Sequence, residues 1–243
     1  MRHAAKDKLI VALDVASASR ALDLFAELRD IAGMFKIGSQ LFTAAGPDVV
    51  RQIISKGGHI FLDLKYHDIP NTVAAAGVEA TRLGVSIFNV HASGGAEMLK
   101  RTTAAVNEVS VKEGLAKPKV IAVTLLTSID QKTLPRIGIL DDPLSVVSCC
   151  SQLAADCGLD GVVASPQEIE VIRAAVDKPD FVIVTPGIRP AGDAADDQRR
   201  VRTAAEAIRA GADYLVVGRP ILNAADPAAA ANRIVSEIDA ALP

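Results

Sequence analysis

The stretch HIFLDLKYHDIPNTVAAAGVEATRL, residues 59–83, begins with a short apolar run and continues into a segment with helical periodicity. The same order recurs along the whole chain, where short runs rich in Val, Ile and Leu alternate with longer segments that have Ala-rich interiors and charged faces. Such alternation predicts a parallel sheet with a helix after each strand. The predicted strands lie at 9–15, 34–39, 59–65, 86–91, 119–126, 160–165, 181–186 and 214–218.

Helical segments follow these strands at a regular spacing. Each strand and its helix together take about 30 residues of the 243, which is the length of a βα repeat. Eight such units predict a closed (β/α)8 barrel, an α/β fold, with the whole chain 1–243 as a single domain. The predicted helices lie at 17–31, 47–56, 71–83, 94–113, 143–157, 166–176, 200–210 and 226–241.

An open, doubly wound parallel sheet is the alternative to the barrel. That fold usually carries a glycine-rich fingerprint directly after its first strand. Here the corresponding residues read LDVASASR, 13–20, without any glycine. The sequence therefore favours the closed barrel.

Charge and hydropathy limit the partners. The chain has 26 Lys and Arg against 29 Asp and Glu, a formal net charge of −3, which gives no sign of a nucleic-acid or membrane partner. No uncharged apolar stretch approaches the ~18 residues of a membrane span. The N-terminal residues MRHAAKDKLIVALDV do not resemble a signal peptide, because charges reach right up to a short apolar run. We expect a cytoplasmic protein.

The three cysteines, Cys149, Cys150 and Cys157, form no CxxC pair and no cluster with histidine. Their odd number suits a reducing compartment. We expect them to be small buried residues on a helix, and we predict no metal site and no cofactor.

The segment DLKYHDIPNT, residues 63–72, carries the strongest chemical signal. Because side chains alternate along a strand, Asp63 and Lys65 share one face, and the neighbouring leucines share the other. In a barrel the leucines meet the helices, so the acid and the base point inward at the end of the strand. Burying such charges costs several kcal/mol unless they pair, and function usually explains why they are kept.

Two other predicted strands show the same pattern. Asp14 and Lys36 each stand between apolar neighbours, so each points to the side opposite to them. The four ionisable residues then converge at the mouth of the barrel as two anions and two cations. The alternative is that they form purely structural ion pairs between strands.

Two arginines follow the last two strands, in GIRP at 187–190 and GRPI at 218–221. Loops seven and eight are the usual phosphate site of this barrel, where glycine lets the backbone approach and arginine supplies a planar fork of donors. The pair predicts phosphate binding. The long polar connections 127–142 and 187–199 are candidate lids or binding loops.

Together these residues resemble the orotidine 5'-phosphate decarboxylase family, from Leu9 to about Asn223. DxKxxD alone also marks related sugar-phosphate decarboxylases and aldolases, and the IPNT that follows it makes the match specific. The other matching motifs are LDV at 13–15, FKIGS at 35–39, VTLLTS at 123–128, PGIRP at 186–190 and VVGRPI at 216–221.

The resemblance implies conversion of orotidine 5'-monophosphate to uridine 5'-monophosphate and CO2, the last step of pyrimidine synthesis, without metal or organic cofactor. It implies a charged network at the reacting carbon, in which Lys65 is the proton donor. It also implies a homodimer in which Asp68, Ile69 and Thr72 reach into the neighbouring subunit's pocket. The network consists of Lys36, Asp63, Lys65 and Asp68.

The resemblance further assigns the substrate contacts. Asp14 and Lys36 would hold the ribose hydroxyls, and Thr127 would contact the pyrimidine. Gln198 would bridge base and phosphate from the loop after strand seven. The phosphate would be held by Arg189, Gly218 and Arg219.

Two other functions stay open. A related sugar-phosphate decarboxylase or hexulose-phosphate aldolase on the same barrel would use Mg²⁺ held by carboxylates. A non-enzymatic phosphate-binding protein would bind nucleotide without turnover, but it gives no reason for the alternating Asp and Lys residues.

Overall fold

In the computed structural model, which describes residues 5–189 and 202–242, eight parallel strands close into a barrel in sequence order, with the first strand paired to the last. The predicted (β/α)8 fold is confirmed, and the open-sheet alternative is wrong. The strands are β1 (Leu9–Ala12), β2 (Met34–Gly38), β3 (Ile60–Tyr66), β4 (Ile87–His91), β5 (Lys119–Val123), β6 (Gly161–Val163), β7 (Val182–Thr185) and β8 (Tyr214–Val217).

Helices surround the barrel. Two short ones that the sequence did not predict, α2 and α9, start directly at the ends of β2 and β8 and precede the main helix of each unit. Within the described ranges the α-helices are α1 (Ala18–Leu28), α2 (Ser39–Ala45), α3 (Asp48–Ser55), α4 (Pro70–Arg82), α5 (Gly95–Glu113), α6 (Pro143–Asp156), α7 (Ile169–Ala175), α8 (Ala204–Arg209), α9 (Arg219–Leu222) and α10 (Pro227–Asp239). None of them is both long enough and apolar enough to cross a membrane.

Some of the helices begin at polar side-chain caps. The Ser17 hydroxyl accepts a hydrogen bond from the Arg20 backbone N–H at 3.3 Å, and Asp142 accepts two backbone N–H groups at the start of α6. Thr203 and Glu206 form a reciprocal capping box on α8. These caps fix the first residues of α1, α6 and α8.

The barrel separates two apolar layers. A large outer core lies between the strands and the helices, and a smaller cluster fills the inside of the barrel. Residues of this inner cluster recur at every second position of a strand, as the pleat requires. It consists of Ile10, Ala12, Met34, Phe61, Ile87, Ile121, Val184 and Val216.

Continuing this alternation toward the carboxyl ends of the strands places Asp14, Lys36 and Asp63 directly above the apolar cluster. β1 ends at Ala12 rather than at residue 15, so Asp14 lies just beyond the strand, with a side chain that is 51% exposed. The charged mouth therefore lies at the edge of the apolar interior.

The expectation for the cysteines is wrong for two of them. Cys149 is exposed and Cys150 is half-buried, whereas Cys157, just after α6, is buried. The buried positions of α6 are Val147, Ser151, Ala154 and Ala155, which share one helical face, and 149 and 150 fall outside it.

Candidate active site

A cavity of about 440 Å³ opens at the carboxyl end of the strands, a size typical of small-molecule sites. Its floor is the apolar inner cluster, and its walls carry most of the site residues predicted from the sequence. The lining residues are Ala12, Asp14, Lys36, Phe61, Asp63, Lys65, Thr127, Val163, Pro186, Gly187, Arg189, Val216, Gly218 and Arg219.

Four charged side chains form a continuous chain along one wall of this cavity. Lys36 Nζ lies 2.9 Å from Asp14 Oδ1 and 3.3 Å from Asp63 Oδ2. Lys65 Nζ lies 2.6 Å from Asp63 Oδ1. The predicted convergence of two anions and two cations is therefore observed, in the order Asp14, Lys36, Asp63, Lys65.

Lys36 is buried, and burial alone would lower its pKa. The carboxylates of Asp63 and Asp14 outweigh that effect and hold the pKa of Lys36 above its usual value. Lys36 is therefore a fixed ammonium group at neutral pH.

Gly38, at the end of β2, leaves room for this ion pair. A Cβ at that position would lie 3.0 Å from Lys36 Nζ and 3.5 Å from Asp14 Oδ1. Any larger residue would push against the lysine head group, so the glycine helps to define the cluster.

Lys65 reaches the cluster by a distorted strand. Its φ of 53° lies in the left-handed region, and the register between β3 and β4 shifts between Leu62 and Tyr66. A left-handed residue other than glycine costs about 1–2 kcal/mol, and such strain collects at functional sites. Regular alternation along the strand therefore predicts correctly that the Lys65 side chain lies beside Asp63. It does not predict the left-handed backbone that places it there.

Asn89, on β4, is a site residue that the sequence analysis missed. Its side chain is fully buried, its Nδ2 donates to Asp63 Oδ1 at 2.7 Å, and its Oδ1 accepts from the Lys65 backbone N–H at 2.8 Å. It occupies an inward position between two apolar neighbours, as Lys36 does on β2. The criterion applied to Lys36 would have found it.

Two arginines also line the cavity. Arg189 is only 7% exposed, and its Nη2 has no hydrogen-bond partner among the described residues, whereas its Nη1 donates to the Ile188 carbonyl at 2.9 Å. Arg219 is exposed and begins α9 directly after Gly218. Both arginines line the cavity, as the phosphate prediction requires.

Other predicted site residues do not line the cavity of this chain. Ile69 is 66% exposed, and Thr72 is also exposed, both at the start of α4. Asp68 is exposed too, and its Oδ1 accepts a hydrogen bond from the Ile69 backbone N–H at 2.6 Å. Gln198 lies outside the described residues, so its predicted role stays a prediction.

Two histidines lie beside the charged chain. The rings of His67 and His91 are 5.2 Å apart. Burial lowers the pKa of His91, and the nearby positive charges of His67 and Lys65 lower it further. The cations of the site therefore oppose a further positive charge on His91.

Residues 5–189 and 202–242 contain no group of three or more His, Cys, Asp or Glu side chains placed to hold a metal ion. The fold and the cavity define a class of protein: a (β/α)8 barrel enzyme whose cavity is lined by an Asp–Lys cluster and two arginines.

A model of one family, described as orotidine 5'-phosphate decarboxylase / HUMPS family, matches residues 7–234. The chain belongs to this family, so the resemblance seen in the sequence is confirmed.

Named relatives agree with this assignment. The chain is 53% identical over 240 residues to orotidine 5'-phosphate decarboxylase of Moorella thermoacetica, covering 98% of this chain and 95% of that one. It is 53% identical over 237 residues to the enzyme of the same name from Geobacter sulfurreducens, covering 98% of each. The crystal structure of orotidine 5'-phosphate decarboxylase from Lactobacillus acidophilus superposes with a TM-score of 0.84 at 36% identity, covering 95% of this chain and 98% of that one.

Proposed function

We propose that the chain is a lyase that decarboxylates orotidine 5'-monophosphate to uridine 5'-monophosphate and CO2 in pyrimidine biosynthesis. The observation that carries the proposal is the arrangement of one cavity. A paired series of two carboxylates and two ammonium groups lines this cavity together with a buried arginine, whose Nη2 has no hydrogen-bond partner among the described residues.

This arrangement suggests how the nucleotide lies. Its phosphate takes the cationic end, formed by Arg189, Gly218 and Arg219. The ribose hydroxyls meet Asp14 and Lys36, and Thr127 contacts the pyrimidine, with Gln198 as a further predicted contact. This orientation brings ring carbon C6 and its carboxylate against Asp63 and Lys65.

Loss of CO2 leaves the bonding electron pair on C6 as an sp² carbanion that no neighbouring carbonyl delocalises. Stabilisation must therefore come from fixed charges in a site that excludes water. The Lys65 ammonium is the nearest cation to Asp63, and it supplies the proton that converts the carbanion to the C–H bond of the product. The neutral amine then regains a proton from solvent.

Asp63 faces the substrate carboxylate with a like charge. At a separation of ~4 Å and an effective dielectric constant near 20, this repulsion is worth about 4 kcal/mol. Departure of neutral CO2 removes it. Asp63 also holds the two lysines, because its two oxygens contact one ammonium group each.

The working unit we propose is a homodimer. Asp68, Ile69 and Thr72 are exposed at the start of α4, outside the cavity of their own chain, which leaves them available to a neighbouring subunit. Asp68 would complete the charged network of that second site. An exposed isoleucine beside it suits an interface better than open solvent.

Subunit mixing tests the shared site. Homodimers of Lys65→Ala and of Asp68→Ala should each be nearly inactive. After random reassociation of equal amounts, half of the dimers are mixed and each holds one intact site, so about a quarter of wild-type activity should return. Mixing that restores nothing would contradict the shared site.

The reaction itself is tested by the loss of orotidylate ultraviolet absorbance in excess chelator. Full turnover supports the metal-free decarboxylation. Turnover that requires added Mg²⁺ would favour the alternative of a sugar-phosphate decarboxylase or hexulose-phosphate aldolase, and nucleotide binding without turnover would indicate a phosphate-binding protein.

We place the enzyme in the cytoplasm. All three cysteines are free thiols, which suits a reducing compartment.

A further inference from the structure

We propose that Asn89 is a positioning residue that fixes Lys65 and Asp63 relative to each other. The inference rests on the role proposed above for Lys65. Asn89 is fully buried at an inward position of β4 and contacts both residues, yet it stands outside the charged chain itself.

The chemistry of its two partners determines how the Asn89 amide is oriented. A carboxylate only accepts hydrogen bonds and a backbone N–H only donates, so the NH2 group must face Asp63 and the carbonyl must face Lys65. The two distances, 2.7 Å and 2.8 Å, are those of well-formed hydrogen bonds.

These contacts close a ring. Asn89 joins the backbone of Lys65 to Asp63 Oδ1, and the same oxygen accepts from Lys65 Nζ at 2.6 Å. Both ends of the lysine are therefore tied to one carboxylate, the side chain directly and the backbone through the amide.

The ring lies where the strand departs from regular geometry. Lys65 has a φ of 53°, and the ladder between β3 and β4 shifts its register there. There the backbone N–H of Lys65 donates to the Asn89 side chain on β4. Asn89 thus stabilises the unusual backbone that directs the lysine side chain toward C6 of the substrate.

Asn89→Ala should lower kcat by about 100-fold, because a displacement of about 1 Å costs that much in a positioned site. KM should stay within about threefold, since Asn89 is not among the residues that line the cavity. Val120→Ala is the control: Val120 is fully buried on the outer face of β5, so this variant should lose thermal stability with kcat unchanged.

Asn89→Asp provides a second, isosteric test that does not depend on the alanine variant folding. When the new carboxyl group is neutral, its O–H can donate to Asp63 and its carbonyl can accept from Lys65, so the ring is kept. When the group is ionised, it repels Asp63. The kcat of this variant should therefore fall as pH rises, with a step that the wild type lacks. The titratable groups around this position are Asp63, which Asn89 contacts, Lys65 and Lys36, which pair with Asp63, and His91 on the same strand, and all are present in both proteins.

A folded Asn89→Ala enzyme with kcat within threefold of wild type would overturn the inference, as would an Asn89→Asp enzyme whose pH profile matches wild type. Wild-type turnover is measured in the same assay. Absence of wild-type turnover would instead contradict the proposed function, and the inference with it.

Discussion

The two ends of the cavity differ in how their charges are satisfied. At the reacting end, four charged side chains each have an oppositely charged group within 3.3 Å: Asp14, Lys36, Asp63 and Lys65. At the proposed phosphate end, Arg189 is as buried as Lys36 and Asp63, yet its Nη2 has no hydrogen-bond partner within the described ranges.

The difference shows two ways of preparing a site. The reacting end is organised before the substrate arrives, so its charges need no reorganisation when the carbanion forms. At the proposed phosphate end, Arg189 is buried with one guanidinium nitrogen that no described residue bonds, and we propose that the substrate phosphate bonds it. We therefore expect the reacting end to determine kcat and the phosphate end to determine kcat/KM.

The largest loss of activity should come from removing Lys65 at the reacting end. Lys65→Ala removes both the proton donor and one of the two cations on Asp63, so kcat should fall by about 10⁴-fold or more. Steady-state assays by ultraviolet absorbance measure this. The matched control is Lys117→Ala, since Lys117 also faces an aspartate, Asp160 at 3.9 Å, but lies outside the cavity. Similar losses in both variants would count against a specific role for Lys65.

Removing either arginine of the proposed phosphate end should have a smaller effect, and it should appear in kcat/KM. Arg189→Ala and Arg219→Ala should each lower kcat/KM by about 100-fold, because each removes a charged hydrogen bond to a buried dianion. Neither should change kcat/KM for orotidine, the nucleoside that lacks the phosphate. Arg51→Ala, which breaks a surface ion pair with Asp48, is the control. Normal kcat/KM in the Arg219 variant would remove the phosphate assignment.

The sequence predicted the geometry of the reacting end only in part. Alternation along strands correctly placed Lys36 and Asp63 inside, because a pleated strand has only two faces. It did not reveal the left-handed backbone of Lys65 or the role of Asn89, because both depend on contacts between strands that are 24 residues apart in sequence.

Helix positions show a similar limit. The eight main helices follow the predicted order, but the extra turns α2 and α9 do not stand out in the sequence. With seven and four residues, they are too short for a sustained apolar pattern, and each begins at the end of a strand. The motif GRPI at 218–221 indicates a phosphate site in the sequence, but it does not indicate that a helix begins there.

Substitution of Asp14, the most exposed of the four charged residues, should have an intermediate effect on kcat/KM. Asp14 pairs with Lys36 but is half exposed, and its proposed partner is a ribose hydroxyl. Asp14→Asn should lower kcat/KM by about 10-fold, the value of one charged hydrogen bond. Asp48→Asn, which weakens the ion pair with Arg51, should leave kcat/KM unchanged. Equal kcat/KM in the Asp14 variant and the wild type would exclude that contact.

The smallest effect should appear in stability rather than in catalysis. Burial and the neighbouring cations lower the pKa of His91, so the unfolded chain binds this proton more tightly than the folded one. The contribution is complete above the unfolded pKa, near 6.5, and is lost as pH falls below it. Urea unfolding of wild type and His91→Asn at about pH 7.5 and pH 5.5 tests this, and the wild type should lose more stability. Parallel losses in the two proteins would show that His91 is not responsible.

The central claim is that Lys65, held against Asp63, exchanges a proton with C6 of the nucleotide. The most direct test follows the C6 hydrogen of uridine 5'-monophosphate by NMR in D2O, where removal and return of that proton replaces it with deuterium. We predict exchange with the wild-type enzyme and none above background with Lys65→Ala. Exchange by the variant at the wild-type rate would contradict the account.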